Sequence, residues 1–302
     1  MSPRRFSEAE LTVIRRAFAR QMMALGSIDN ERLEHVFATI RREDFLGPEP
    51  WQFLRWPEGK ATLPENDPAC IYQDVVIALQ PGRGVNNGSP SLHARMLHDL
   101  AVEPGQRIAH IGTGAGYYTA MLAELTGPTG RVTAFEYDAT LAERARTNLA
   151  AWNNVTVATA DGATAPTEPV DRIYVNFAVG APATLWIEKL APGGRLLFSL
   201  GAPHPDVRDK FPRHSAQGGV FIIDKTLNGL AARWAYPAYY VCAEGGLTGE
   251  GEAEVALFNA FKRGGFEFVK SLRWNEPFDP LRCWYWTPHW GLSYDALSGP
   301  AS

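Results

Sequence analysis

Three glycines at alternate positions, Gly112, Gly114 and Gly116, follow the short apolar run Arg107–Ile111. A residue without a Cβ tolerates positive φ and lets a ligand lie flush against main chain. The dinucleotide fingerprint GxGxxG would need glycine at position 117, which is Tyr117, so this GxGxG fits a nicotinamide dinucleotide poorly. Standing alone, the pattern is equally a glycine-rich structural turn. Two acids extend it. Glu136 closes the next apolar run about two dozen residues on, where a carboxylate can take both hydroxyls of a ribose. Asp161-Gly162 follows a third run and offers an acceptor for an adenine amino group, at the same sheet edge if the strands are parallel. Each acid alone reads as a surface residue; in this order they specify a nucleoside. No Walker lysine accompanies the glycines, so the ligand need not carry a polyphosphate.

These residues need a scaffold to hold them. Ser7 with Glu10 predicts a capping box, and Leu11, Ile14, Phe18 and Met22 then recur at helical spacing. A second helix is expected from about Asp29, with Leu33, Val36, Phe37 and Ile40 on one face. Pro48, Pro50, Pro57, Pro64 and Pro68 predict loop, and a third helix follows over 92–100. Strands at 107–111, 131–135, 155–158, 171–176 and 195–200 then alternate with helices at 117–125, 141–151 and 182–190. That alternation predicts an α/β layered fold with a mostly parallel sheet. Apolar segments 219–225 and 231–242 enclose Leu227-Asn228-Gly229 and predict an antiparallel terminal hairpin. A helix at 253–262 and a strand at 266–272 lead into the tryptophan-rich stretch RCWYWTPHW. The expected division is a helical cap over 1–75, a ligand-binding α/β domain over 76–246 and a small extension over 247–302.

Composition narrows the class. The chain has 302 residues, 45% hydrophobic and 21% charged, as ordinary globular proteins do. A formal net charge of −4 leaves no basic footprint for nucleic acid. No apolar run approaches the ~18 residues of a membrane span, and the first residues lack the apolar core of a secretory signal. Cys70, Cys242 and Cys283 are isolated, odd in number and without metal-ligand spacing. Reduced thiols in a cytoplasmic protein without a metal site are the simplest account.

The segments HIGTGAGYYTAMLAEL, GRVTAFEYD, ADGA and LAPGGRLLFSLG resemble, in that order, a class I S-adenosylmethionine (SAM)-dependent methyltransferase. With ARQMMALGSIDNERLEHVFATIRREDFLGPE ahead of them, they resemble more narrowly the protein-L-isoaspartate O-methyltransferase family, over residues 10–245. The resemblance implies a Rossmann-like sheet and SAM as cofactor. It implies that Gly112, Gly114 and Gly116 back the methionine and ribose, that Glu136 binds the ribose diol, and that Asp161 and Gly162 bind adenine. His110 stands where the family has an acid that helps to hold the methionine portion. The loop PGRGVNNGSPSLHARML departs further: the family's threonine falls on Asn86 and its serine on Gly88, with Ser89 one place off. Asn86, Asn87 and Ser89 are therefore the candidates for the acceptor pocket, and Asn176 for approach to the transferring methyl. His93 matches a histidine that the family often has. The family's acceptor is an isoaspartyl peptide. The altered loop leaves room for a small-metabolite carboxyl or hydroxyl instead, and His110 with Gly88 for a SAM-binding protein without turnover. Trp274, Trp284, Trp286 and Trp290 are expected to pack on the core, or else to form a lid or a homodimer surface.

Overall fold

Ser7 caps the first helix as its spacing to Glu10 predicts. Its amide donates to Glu10 Oε2 at 2.8 Å, while Glu10's amide donates to Ser7 Oγ. That helix, α1 (Glu8–Gly26), buries Leu11, Phe18 and Met22. The next, α2 (Glu31–Thr39), is capped by Asn30 and buries Leu33, Val36 and Phe37. This computed structural model describes residues 6–55, 59–62, 67–207, 213–249 and 251–297.

The proline-punctuated stretch is not simply loop. It contains an antiparallel pair, β1 (Gln52–Arg55) with β2 (Gly59–Thr62), and a 3-10 turn at Pro68–Ile71. Pro48 and Pro50 precede the ladder and Pro68 opens the turn, so none of these three removes a ladder donor. Pro57 and Pro64 lie outside the described residues.

In chain order there follow β3 (Ala78–Gln80), β4 (Val85–Asn86), α3 (Pro90–Leu100) and β5 (Arg107–Ile111). Then come α4 (Tyr117–Thr126), β6 (Arg131–Glu136), α5 (Ala139–Asn148) and β7 (Val155–Thr159). The second half carries β8 (Val170–Val179), α6 (Thr184–Glu188), β9 (Leu190–Ala202), β10 (Gln217–Thr226) and β11 (Gly229–Pro237). Last are α7 (Gly251–Arg263), β12 (Ser271–Trp274), β13 (Cys283–Trp286) and β14 (Trp290–Ser293).

The chain forms two compact units, one of Met1–Gln106 with Thr113–Thr159, the other of Arg107–Gly112 with Ala160–Ser302. In the first, α1, α2 and α3 pack on one another, and β6 pairs in parallel with β7. In the second, β5, β8 and β9 are parallel neighbours, as a crossover through α6 requires. β10 and β11 form the expected antiparallel hairpin. Val220, Phe221, Ile222 and Ile223 of β10 are all fully buried, so this strand is covered on both faces.

The antiparallel part is longer than one hairpin. Strands β12, β14 and β13 continue it beyond β11. Trp284 supplies the reason: it is buried, stacked on Phe221 at 5.7 Å, and edge-on to Phe261 of α7 at 4.9 Å. Trp290 is buried too, Trp274 is half-buried and Trp286 is 48% exposed. Where strand was expected over 266–272, Phe266–Phe268 is a 3-10 turn that packs Phe266 on Trp284, and the strand begins at Ser271.

Candidate active site

In the first unit Glu136 ends β6 with only 8% of its surface exposed. Its Oε2 accepts from the Gly114 amide at 2.7 Å and its Oε1 from the Asp138 amide at 3.0 Å. Burial raises the carboxyl pKa, and these main-chain donors act against that rise. Each oxygen keeps one lone pair, which suits a vicinal diol. Gly114 has φ +58°, and a Cβ there would meet only Leu79, at 3.6 Å, so its face has room for a ligand. Gly116 has no such room: a Cβ would stand 2.8 Å from Leu149. In the second unit Gly112 likewise packs on Phe177, 2.6 Å from a built Cβ. The alternation of glycines thus serves protein packing at two positions and leaves an accessible face at one.

The loop that carries Asn86, Asn87 and Ser89 belongs to the first unit. Asn86 is folded onto its own turn, its Oδ1 taking the Gly88 amide at 2.9 Å and its Nδ2 donating to Gly84 O at 3.1 Å. Asn87 is buried; its Oδ1 accepts from the Ile77 amide at 2.8 Å, and its Nδ2 has no partner. Ser89 caps α3, and its Oγ donates to Asp74 Oδ1 at 2.8 Å. Asp74 also takes the Ser91 amide at 3.0 Å and hydroxyl at 2.5 Å. Both serine hydroxyls are therefore committed to framing the loop. Gly88 has φ +69°, and a Cβ there would lie 2.1 Å from His93 Nε2. The His93 ring, stacked on Tyr118 at 3.8 Å, fills the space that a side chain at position 88 would take.

Beneath this loop Arg42 is fully buried. Its Nη1 donates to Ile71 O at 2.5 Å and Gln73 O at 3.1 Å, and its Nη2 to Val75 O at 2.6 Å. Three carbonyls gathered on one guanidinium fix the segment that carries Asp74. Arg83, within the loop, is paired with Asp138, the N-cap of α5. Neither Arg42 nor Asp74 stands out in the sequence, because their partners lie 15 to 33 residues away with no fixed spacing.

In the second unit His110 is fully buried at the end of β5, its Nε2 at 2.8 Å from Asn176 Nδ2. An amide nitrogen only donates, so Nε2 accepts and the imidazole is neutral. Burial pulls its pKa down to about 3. Asn176 Oδ1 is buried without a partner. His110 and Asn176 thus act as one neutral pair that presents a single orphaned acceptor. Asp161 ends the β7 run and caps the 3-10 turn Gly162–Thr164, its Oδ1 accepting from the Ala163 amide at 2.8 Å. Its Oδ2 accepts from the Gly246 amide at 2.7 Å. Trp186 Nε1 donates to Gly162 O at 3.0 Å.

A profile of the protein-L-isoaspartate(D-aspartate) O-methyltransferase family matches residues 15–226. The chain belongs to this family. The protein-L-isoaspartate O-methyltransferase of Methanothermobacter thermautotrophicus is 30% identical over 192 residues, 62% of this chain and 80% of that relative. That of Methanothrix thermoacetophila is 31% identical over 212 residues, 67% of this chain and 92% of the relative. A solved protein-L-isoaspartate O-methyltransferase shares the fold with TM-score 0.62 at 21% identity, covering 87% of this chain and 72% of its own. A Plasmodium falciparum protein of the same description, solved with S-adenosyl-L-homocysteine, superposes with TM-score 0.58 at 16% identity over 76% of this chain and 98% of its own. The chain is accordingly an α/β methyltransferase of class I, with SAM as cofactor. The residues suit that group. Within the first unit, a carboxylate with an unused lone pair on each oxygen stands beside a glycine face open enough for a ligand, which is the chemistry a ribose needs. Residues 227–302, including α7 and β12–β14, lie past the family match.

Proposed function

We propose that this family member transfers the methyl of S-adenosyl-L-methionine to a carboxylate, with an isoaspartyl peptide as acceptor. The observation that carries the reading is the hydrogen bond that locks Glu136 to Gly114, inside the stretch that matches the family. When bound, the cofactor supplies an electrophilic methyl on a positively charged sulfur. Glu136 holds the ribose hydroxyls, Asp161 faces the adenine edge, and Gly112 and Gly116 shape the turn that presents Gly114. Asn176 Oδ1, held by His110, accepts from a donor on the methionine portion. A carboxylate acceptor is already ionised near neutral pH, so no general base is needed. Asn87 Nδ2 is the donor available to orient it, within a loop framed by Asn86 and Ser89. Alignment alone is worth effective molarities of about 10⁵–10⁸ M, which suits a site with few reactive side chains. Cys70, Cys242 and Cys283 form no disulfide among the described residues, which fits the cytoplasmic location we propose.

Incubation with methyl-labelled SAM and an isoaspartyl peptide tests the acceptor. Transfer is expected for the wild-type chain and loss of more than about 100-fold for Glu136→Ala, since a buried charged hydrogen-bond acceptor is removed. Bound cofactor without transfer would reject the peptide and keep the enzyme class. His93 in the place of the family's serine favours a second reading, a small-molecule carboxyl or hydroxyl acceptor, which a metabolite panel would reveal.

A further inference from the structure

The turn that enters the C-terminal extension, Gly245–Leu247, lies against the loop that bears Asp161. It is tied down on both sides. The Ala243 amide donates to Ala178 O at 2.8 Å at the end of β8, and the buried Glu254 of α7 pairs with Arg213. Between these anchors the Gly246 amide donates to Asp161 Oδ2. Leu247 reaches the same loop: a Cβ built on Gly162 would meet Leu247 Cδ1 at 3.2 Å and Ile111 Cγ2 at 2.6 Å. Ile111 leaves no room for a side chain at position 162, and Leu247 rests against the same bare main chain.

We propose that Gly246 and Leu247 form the outer wall of the subsite for the purine nucleoside, a part of the site lying beyond the family match. The inference rests on the donor reading above. The Gly246 amide occupies one lone pair of Asp161 Oδ2 and so fixes which lone pair faces an amino group on the base. A base that reaches Asp161 lies beside Gly246, and the half-buried side chain of Leu247 then covers its face. A purine ring against a leucine removes apolar surface on both partners from water. The extension thus adds a strap to the donor site, through a turn pinned to the Asp161 loop.

Calorimetric titration of the full chain with S-adenosylhomocysteine, and separately with adenosine, tests this. Leu247→Ala is expected to weaken both ligands about 10-fold, the effect of losing most of one leucine's contact. Leu247→Met should stay within about 2-fold of wild type, because its volume and polarity are similar. Thermal melting without ligand checks that each variant is folded. Unchanged or tighter binding by folded Leu247→Ala, with wild-type binding intact, overturns the strap alone. Failure of the wild-type chain to bind either compound overturns the donor reading and the strap together.

Discussion

A neutral histidine buried at the end of β5 makes the stability of this chain depend on pH. His110 is held near pKa 3 by burial, against 6.5 for a free imidazole. Between those values the unfolded chain binds a proton that the folded chain does not, so stability rises with pH across the window and is lost as pH falls. Denaturant unfolding between pH 7 and pH 4.5 should show that decline, and His110→Asn should reduce its slope by up to about 1.4 kcal/mol per pH unit. An identical slope in the variant would show that the imidazole is not buried in its neutral form. Gly88 is the second residue whose identity follows from its surroundings. Gly88→Ser places a Cβ on left-handed backbone and into His93. A loss of about 2–3 kcal/mol is expected from the strain and overlap together. The double variant Gly88→Ser with His93→Ala should recover part of it, giving a favourable coupling energy in a double-mutant cycle.

Loops framing an active site need an anchor, and here it is a buried charge beneath them. Arg42 comes from the 3-10 turn Arg42–Phe45 after α2, yet its donors end on carbonyls of 71, 73 and 75. Asp74 lies within that clamped segment and binds both Ser89 and Ser91 at the start of α3. Arg42→Met leaves the carbonyls of Ile71, Gln73 and Val75 without this donor, a change expected to cost about 3 kcal/mol. Hydrogen exchange locates the effect. Amides of 71–75 and of Ser91 should lose protection while those in the middle of α1 keep theirs once the global loss is subtracted. Uniform loss everywhere would mean that Arg42 supports the first unit at large and not this loop.

At the scale of the whole chain, the extension is part of the second unit's sheet. β12 pairs with β11, and Trp284 stacks on Phe221 of the two-sided strand β10. A chain ended at residue 246 would leave the β11 edge unpaired and bare the apolar face over Phe221, both of which promote aggregation. Expression of residues 1–246 should therefore give insoluble material or a chain without cooperative melting. A soluble, cooperatively melting product would mark residues 247–302 as an appendage instead.

Signals that act over a few residues are legible in the sequence: the Ser7–Glu10 capping box, the helical spacing of Leu33, Val36 and Phe37, the Asn-Gly turn at 228–229, and the glycines beside Glu136. Caps, turns and periodicity depend on neighbours within about one helical turn, so residue type and order are enough to specify them. The same reasoning located the α/β alternation. Contacts without a spacing rule were decided only by tertiary structure. Ser89 meets Asp74 across 15 residues, Arg42 meets Ile71 O across 29, and Gly246 meets Asp161 across 85. Packing also decided that Gly112 and Gly116 accommodate Phe177 and Leu149, and that the tryptophan-rich tail becomes two more strands. Which side chain fills the space beside a glycine depends on how distant segments close on one another, and local pattern carries no record of that closure.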